Sequence, residues 1–219
     1  MKKNAGILLV LLIFVITLGC VVETIKPEVK GTTFKSVSPK VDVQVDPKFK
    51  YIGKFDEAIL QKRGEATVIK YDVYVFGVIE NDELQEAVAM VYQTLPDGWK
   101  WVPSIPKGST YMRFSGYKWL VSYRVGTPQY LFGKLGQKMS FSNNMSFAET
   151  YALKEFQYLG RYNKSFSVMY VEKINNTDFY RWTKFFQNGK DKSILTDDQQ
   201  QEIDSVDQNS LQAFKIARH

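Results

Sequence analysis

The chain has 219 residues, with 29 Lys and Arg against 23 Asp and Glu and a single histidine, for a formal charge of +6. That length holds one domain with a core of its own, or two small ones. The charge attracts anionic headgroups or glycans mildly, but Lys and Arg are spread along the chain, without the concentrated basic face that nucleic-acid binding needs. One cysteine excludes an internal disulfide, so the fold must hold by packing, and 13 Tyr, 15 Phe and 4 Trp supply the apolar area for it.

The N-terminus has the pattern of a secretory signal. Lys2 and Lys3 precede the uncharged run Ala5–Gly19, and no Ala-x-Ala spacing closes that run. It ends instead in Thr17-Leu18-Gly19-Cys20, with Cys20 the only cysteine. This ending resembles the lipobox of bacterial lipoproteins. The resemblance implies that a diacylglyceryl group is attached to the Cys20 thiol and that the signal, residues 1–19, is cut between Gly19 and Cys20. Thr17 and Leu18 stand where that family usually has an aliphatic and then a small or β-branched residue. The mature chain would carry 27 basic residues against 23 acidic, a net +4. The alternative is an uncleaved membrane helix: the 18 residues Ala5–Val22 would reach about 27 Å, enough for a thin hydrocarbon core. Both readings leave the lysines in the cytoplasm and the rest of the chain outside it. The implied partner is the membrane, through the lipid anchor, with envelope proteins or glycan as further candidates. Val21 is not the Asp that resembles an inner-membrane retention signal, which favours the outer membrane if the cell is Gram-negative.

Residues 20–40, with Pro27, Gly31 and Pro39, read as a lipidated N-terminus and flexible tether, and 41–219 as one globular domain. Val41–Asp46 alternates as a first strand ended by Pro47, and Phe49–Phe55 follows with Gly53 as a bend or bulge. Glu65–Ile79 is rich in β-branched and aromatic residues on both faces, as in a central strand covered on both sides. Asp82 and Gln85 are spaced as a capping box, and Leu84, Ala87, Val88, Val91 and Leu95 fall on one helical stripe. They predict a helix over 82–95. Tyr111–Phe114, Ser115-Gly116 and Tyr117–Val125 predict a β-hairpin. Residues 127–146 look irregular. Phe147–Leu159 fits either a helix bounded by Ser146-x-x-Glu149 and Gly160 or a strand, and the strand-like Phe166–Ile174 that follows favours the second. Thr196-Asp197-Asp198-Gln199 is a capping box opening a C-terminal helix over 197–214, with Ile203, Val206, Leu211 and Phe214 as its apolar face.

Little here carries chemistry. His219 is the last residue, so no Ser-His-Asp or Cys-His arrangement forms around it. No zinc ligand set and no Gly-rich phosphate loop is present, and no cofactor or metal is expected. Asp56-Glu57 and Glu80, Asp82 and Glu83 could furnish the two facing carboxylates of a glycosidase, but acids at turns and helix starts are ordinary. Asp197, Asp198, Glu202 and Asp204 lack a calcium-loop pattern. Trp99 and Trp101 share one face near Tyr111 and Trp119 in sequence, which would make a sugar-stacking platform if exposed and core packing if buried.

The expected fold is α+β: a mainly antiparallel sheet of roughly six to eight strands with one packed helix (82–95) and a C-terminal helix (197–214). The expected role is a non-catalytic binding or structural lipoprotein of the cell envelope. The alternatives are a carbohydrate-binding adhesive domain and a carboxylate-dependent glycosidase.

Overall fold

The computed structural model describes residues 26–63, 65–100, 105–106, 108–160, 163–175, 178–188 and 191–218. Cys20, Gly19 and the apolar run before them lie outside the described residues, as do Trp101 and His219. Among the described residues no helix is long and apolar enough to cross a membrane.

The fold is α+β and mainly antiparallel, built on two sheets. The large sheet contains β4 (Lys50–Arg63), β5 (Glu65–Glu80), β6 (Glu83–Thr94), β11 (Lys164–Lys173), β10 (Tyr151–Leu159), β8 (Tyr117–Gly126) and β7 (Thr110–Phe114), in that spatial order. A two-residue strand, β9 (Ser146–Phe147), pairs in parallel with the start of β6. The small sheet has the order β1 (Glu28–Lys30), β2 (Thr33–Val37), β3 (Lys40–Val45), β12 (Phe214–Arg218).

β5 shows why the large sheet sits in the middle of the molecule. Its side chains alternate between two cores, Tyr74 and Phe76 into one, Val73 and Val75 into the other. The doubly covered strand expected over 65–79 is therefore present. The first core lies under the small sheet, where Phe34, Val41, Val43 and Val45 meet Tyr74, Phe166 and their neighbours. Complete burial of Phe34 alone is worth roughly 1.5–3 kcal/mol. The same core takes Trp182 and Phe185 from α2 (Phe179–Gln187) and Ile203, Val206 and Ala213 from α3 (Asp197–Ala213). The second core lies on the opposite face, under α1 (Pro128–Asn143).

The helix expected over 82–95 is strand β6. Asn81 and Asp82 both have positive φ, 51° and 62°, and form the two-residue turn of the β5–β6 hairpin, closed by the pair Glu80 and Glu83. The register shifts near Gln85, so Leu84 pairs with Ile79 and Glu86 with Val78. This bulge puts Leu84, Ala87 and Val91 into one core, with Val88 pointing to the other. Two alternating faces interrupted by one extra residue produce the 3- and 4-residue spacings that mimic a helix. The packed helix is α1, in the stretch 127–146 that looks irregular in sequence. Thr127 caps it and Pro128 occupies its first turn, both ordinary start signals.

The flexible tether expected over 20–40 is corrected from residue 28 onward. Residues 28–37 form β1 and β2, because Phe34 and Ser36 are needed to cover the first core. The alternating strand near 41–46 is β3, the bulge at Gly53 is present in the β4–β5 pairing, and 151–159 is a strand. Ser115 and Gly116, at φ 51° and 81°, form the expected hairpin turn between β7 and β8. The capping box of α3 is formed on both sides: the Thr196 N–H donates to Gln199 Oε1 at 3.0 Å and the Gln199 N–H donates to Thr196 Oγ1. Leu211, expected on its apolar face, is exposed, and Phe214 belongs to β12.

Candidate functional site

Between α1 and the large sheet lies a cavity of about 800 Å³, within the size range of small-molecule sites. Its floor is the second face of the sheet: Val73 and Val75 of β5, Leu84, Ala87, Ala89 and Val91 of β6, Met169 and Val171 of β11, and Leu153 of β10. The hollow has a direct cause. Ala89 pairs with Val75 on one side and Met169 on the other, and the next inward residue is Ala87. Two alanines in the middle of a sheet face leave a depression that larger residues surround.

The roof is α1, and its backbone is set by a few strong local signals. Thr127 Oγ1 accepts from the Tyr130 N–H, and Asn144 ends the helix in the left-handed region at φ 49° and ψ 45°. Gly133 breaks the helical path at φ 51° and ψ −132°. A Cβ there would meet nothing within 4 Å, so the backbone angle, not space, calls for glycine. Beyond the kink, Met139 is buried and Lys138 Nζ donates to the Asp56 carbonyl of β4; just before it, Phe132 packs on Phe147 and Tyr151. Tyr151 donates to the Leu84 carbonyl at 2.7 Å and accepts from the Ala148 N–H. Burial pushes its hydroxyl up to about 12. α1 leaves Phe141 in solvent at 90% exposure, and Tyr130, which lines the cavity mouth, at 72%.

Polar groups enter the wall at Glu57, Tyr71, Gln93, Arg124, Gln129 and Lys134. Arg124 lies on β8 and Tyr71 on β5, with three strands between them, yet both line one cavity. The sheet is therefore curled around it. Burial raises the Tyr71 hydroxyl above its usual range, Glu57 adds to this, and Arg124 opposes it. Tyr71 is thus a protonated donor at neutral pH. Beneath Arg124, Glu155 is buried; it accepts from Arg124 Nη2 and, at 2.7 Å, from the Ser167 hydroxyl.

Apart from Glu57, the candidate site residues singled out from sequence fall elsewhere. Trp119 is fully buried with its N–H toward the Phe114 carbonyl, whereas Trp99 is 37% exposed, and Lys118 Nζ sits 3.8 Å from the Tyr111 ring centroid. The structure does not bring these three onto one platform. Glu83 pairs with Lys173 at 2.6 Å, and Asp82 is in the hairpin turn. Glu57 alone of the early acids reaches the cavity, which gives one carboxylate among its lining residues where a glycosidase needs two facing one sugar. Three acids of α3 tie it to its neighbours: Asp207 accepts from Tyr123 and pairs with Lys154, Asp204 pairs with Lys192, and Glu202 accepts from the Asn175 N–H; Asp197 and Asp198 stand in its first turn. No three His, Cys, Asp or Glu converge on a point among the described residues. A second polar knot, where Tyr170 lies 2.8 Å from both Glu86 and Glu172, is closed by Lys48, Ser205 and Asn209 and ties α3 and the β3–β4 connection to the sheet.

No family model, curated protein or solved structure matches the chain. Sequence patterning missed the cavity because its residues read as ordinary core. The available signal was the Ala87-x-Ala89 pair in an otherwise bulky strand.

Proposed function

We infer that this chain is a non-catalytic, lipid-anchored component of the cell envelope that binds an apolar ligand in the cavity beneath α1. One observation carries the ligand-binding part: a cavity of about 800 Å³ with an apolar floor and roof and a few polar groups in its wall. The anchoring part rests on Cys20 and the signal-like run before it. The non-catalytic reading is supported by a site that offers a single carboxylate, Glu57, among its lining residues.

The test uses the full chain in its native membranes. A photoreactive diazirine fatty acid is added, the membranes are irradiated, and labelled peptides are mapped by mass spectrometry. Labels on 84–93 and 131–139 are expected, and Ala89→Phe, which fills the hollow, should remove them while the protein still folds. Labels confined to the anchor segment would overturn the ligand-binding reading. The same spectra read the mature N-terminus: an acylated peptide beginning at Cys20, absent in Cys20→Ser, is expected, and an intact Met1 would replace the lipid anchor with a membrane helix.

A further inference from the structure

The cavity wall contains a charge that its apolar floor does not need. Arg124 is half exposed and lines the cavity, while its partner Glu155 is buried behind it. Glu155 is fixed from the other side by Ser167, itself fully buried on β11. This Ser167–Glu155–Arg124 relay holds a guanidinium in place. A guanidinium has five N–H donors in a planar fork, and the bond to Glu155 uses only part of that set. A ligand with a purely apolar or neutral end would cover those donors without offering an acceptor of matching strength.

The rest of the wall points the same way. Tyr71 presents a protonated hydroxyl, and Lys134 adds a second cation from the roof. Glu57 on the wall and Glu155 behind it limit how much negative charge the site accepts. We propose that the cavity takes a single-chain amphiphile with a monoanionic oxyanion head: the tail lies over Ala87 and Ala89 beneath α1, and the head sits on the Arg124 guanidinium. This rests on the ligand-binding reading above. Arg124 then determines specificity, and Glu155 and Ser167 are positioning residues.

Two diazirine probes of equal chain length decide it, a long-chain carboxylic acid and the matching alcohol, each applied to native membranes holding the full chain. The acid should label the cavity peptides at about tenfold lower concentration than the alcohol, the gain expected of a charge-assisted hydrogen bond. Arg124→Gln should remove that preference, so that acid and alcohol label alike, and Arg124→Lys, which keeps the charge but loses the fork, should fall between. If Arg124→Gln fails to fold, the wild-type comparison decides alone. Equal labelling by both wild-type probes overturns the head assignment and leaves the cavity reading standing. No labelling of the cavity by either probe overturns both. Unlabelled palmitate and lysophosphatidylglycerol as competitors identify the source of the head, carboxylate or phosphodiester. Competition by neither would overturn the assignment.

Discussion

The Tyr92 hydroxyl donates to Ser36 Oγ at 2.6 Å, joining β6 of the large sheet to β2 of the small sheet across 56 residues of sequence. Ser36 Oγ donates onward to the Pro39 carbonyl at 2.7 Å, and the Val37 N–H donates to the Tyr92 oxygen at 3.3 Å. A single phenol thus fixes the turn of the small sheet over the main core. Tyr92→Phe should cost about 1–2 kcal/mol, since it strands a part-buried N–H, and lower Tm by roughly 2–8 °C. Ligand labelling, on the other face of the sheet, should not change.

Burial pushes the hydroxyls of Tyr92 and Tyr151 up to about 12, from an ordinary value of 10. In both the folded value is the higher one. Their contribution is complete below pH 10, where both states hold the proton. It is lost as pH rises towards 12, because the unfolded chain releases its proton first. Each should contribute about 2–3 kcal/mol to alkaline destabilisation. Burial raises Tyr123 and Tyr170 too, and neighbouring carboxylates push further in the same direction. Urea midpoints measured from pH 8 to 12 should fall steeply above pH 10, and Tyr151→Phe should flatten the fall. A level midpoint through pH 11 would contradict this.

Lys154 is buried between β10 and α3, with Nζ 2.9 Å from Ser210 Oγ and 3.1 Å from Asp207 Oδ1. The Asp207 side chain is 45% exposed. The two halves of the pair should therefore respond unequally. Asp207→Ala leaves an ammonium in a dry site, at a cost of about 2–3 kcal/mol, below the figure for fully buried pairs because water reaches one partner. Lys154→Met leaves a carboxylate that water can hydrate, and should cost less. Chemical denaturation of the two variants gives the order directly.

Two glycines crowd their neighbours differently. A Cβ on Gly77 would come within 2.5 Å of Ile52 Cδ1 and 2.9 Å of Leu84 Cδ1, in the packed end of the second core. One on Gly126 would meet the Tyr130 ring at 2.5 Å. The Tyr130 ring stands in solvent and can swing aside. Gly77→Ala should cost about 1–3 kcal/mol and Gly126→Ala much less. Similar losses for both would mean that Tyr130 is held more firmly than its exposure suggests.

The parts of this fold legible from sequence are those where one physical signal acts alone. The alternation of Val41, Val43 and Val45, the two-sided apolar character of β5, the Ser115-Gly116 turn and the Thr196–Gln199 capping box each keep one period or one local geometry. The errors come where two signals overlap. In β6 a bulge shifts the alternation by one residue, and Leu84, Ala87 and Val91 acquire a helical spacing although they lie on a strand. In α1 the glycine kink breaks the apolar stripe, so Thr127-Pro128 marks a helix that the following residues do not advertise. The candidate site was less legible than the fold. A cavity is a volume left by residues on six strands and a helix, and no local pattern encodes it.

β12 has a kinetic consequence. Phe214 pairs with Val45 and Arg218 with Val41, so the small sheet joins segments roughly 170 residues apart. Pairings of such separation form late, since the entropy of closing a long loop comes before any contact rewards it. In a chain that emerges from its N-terminus, β3 has no partner on this side until the final strand appears. Until then it presents an open strand edge, a template for pairing with other chains. Folding is therefore a race between the arrival of residues 214–218 and association through β3, and crowding shifts that race towards aggregation.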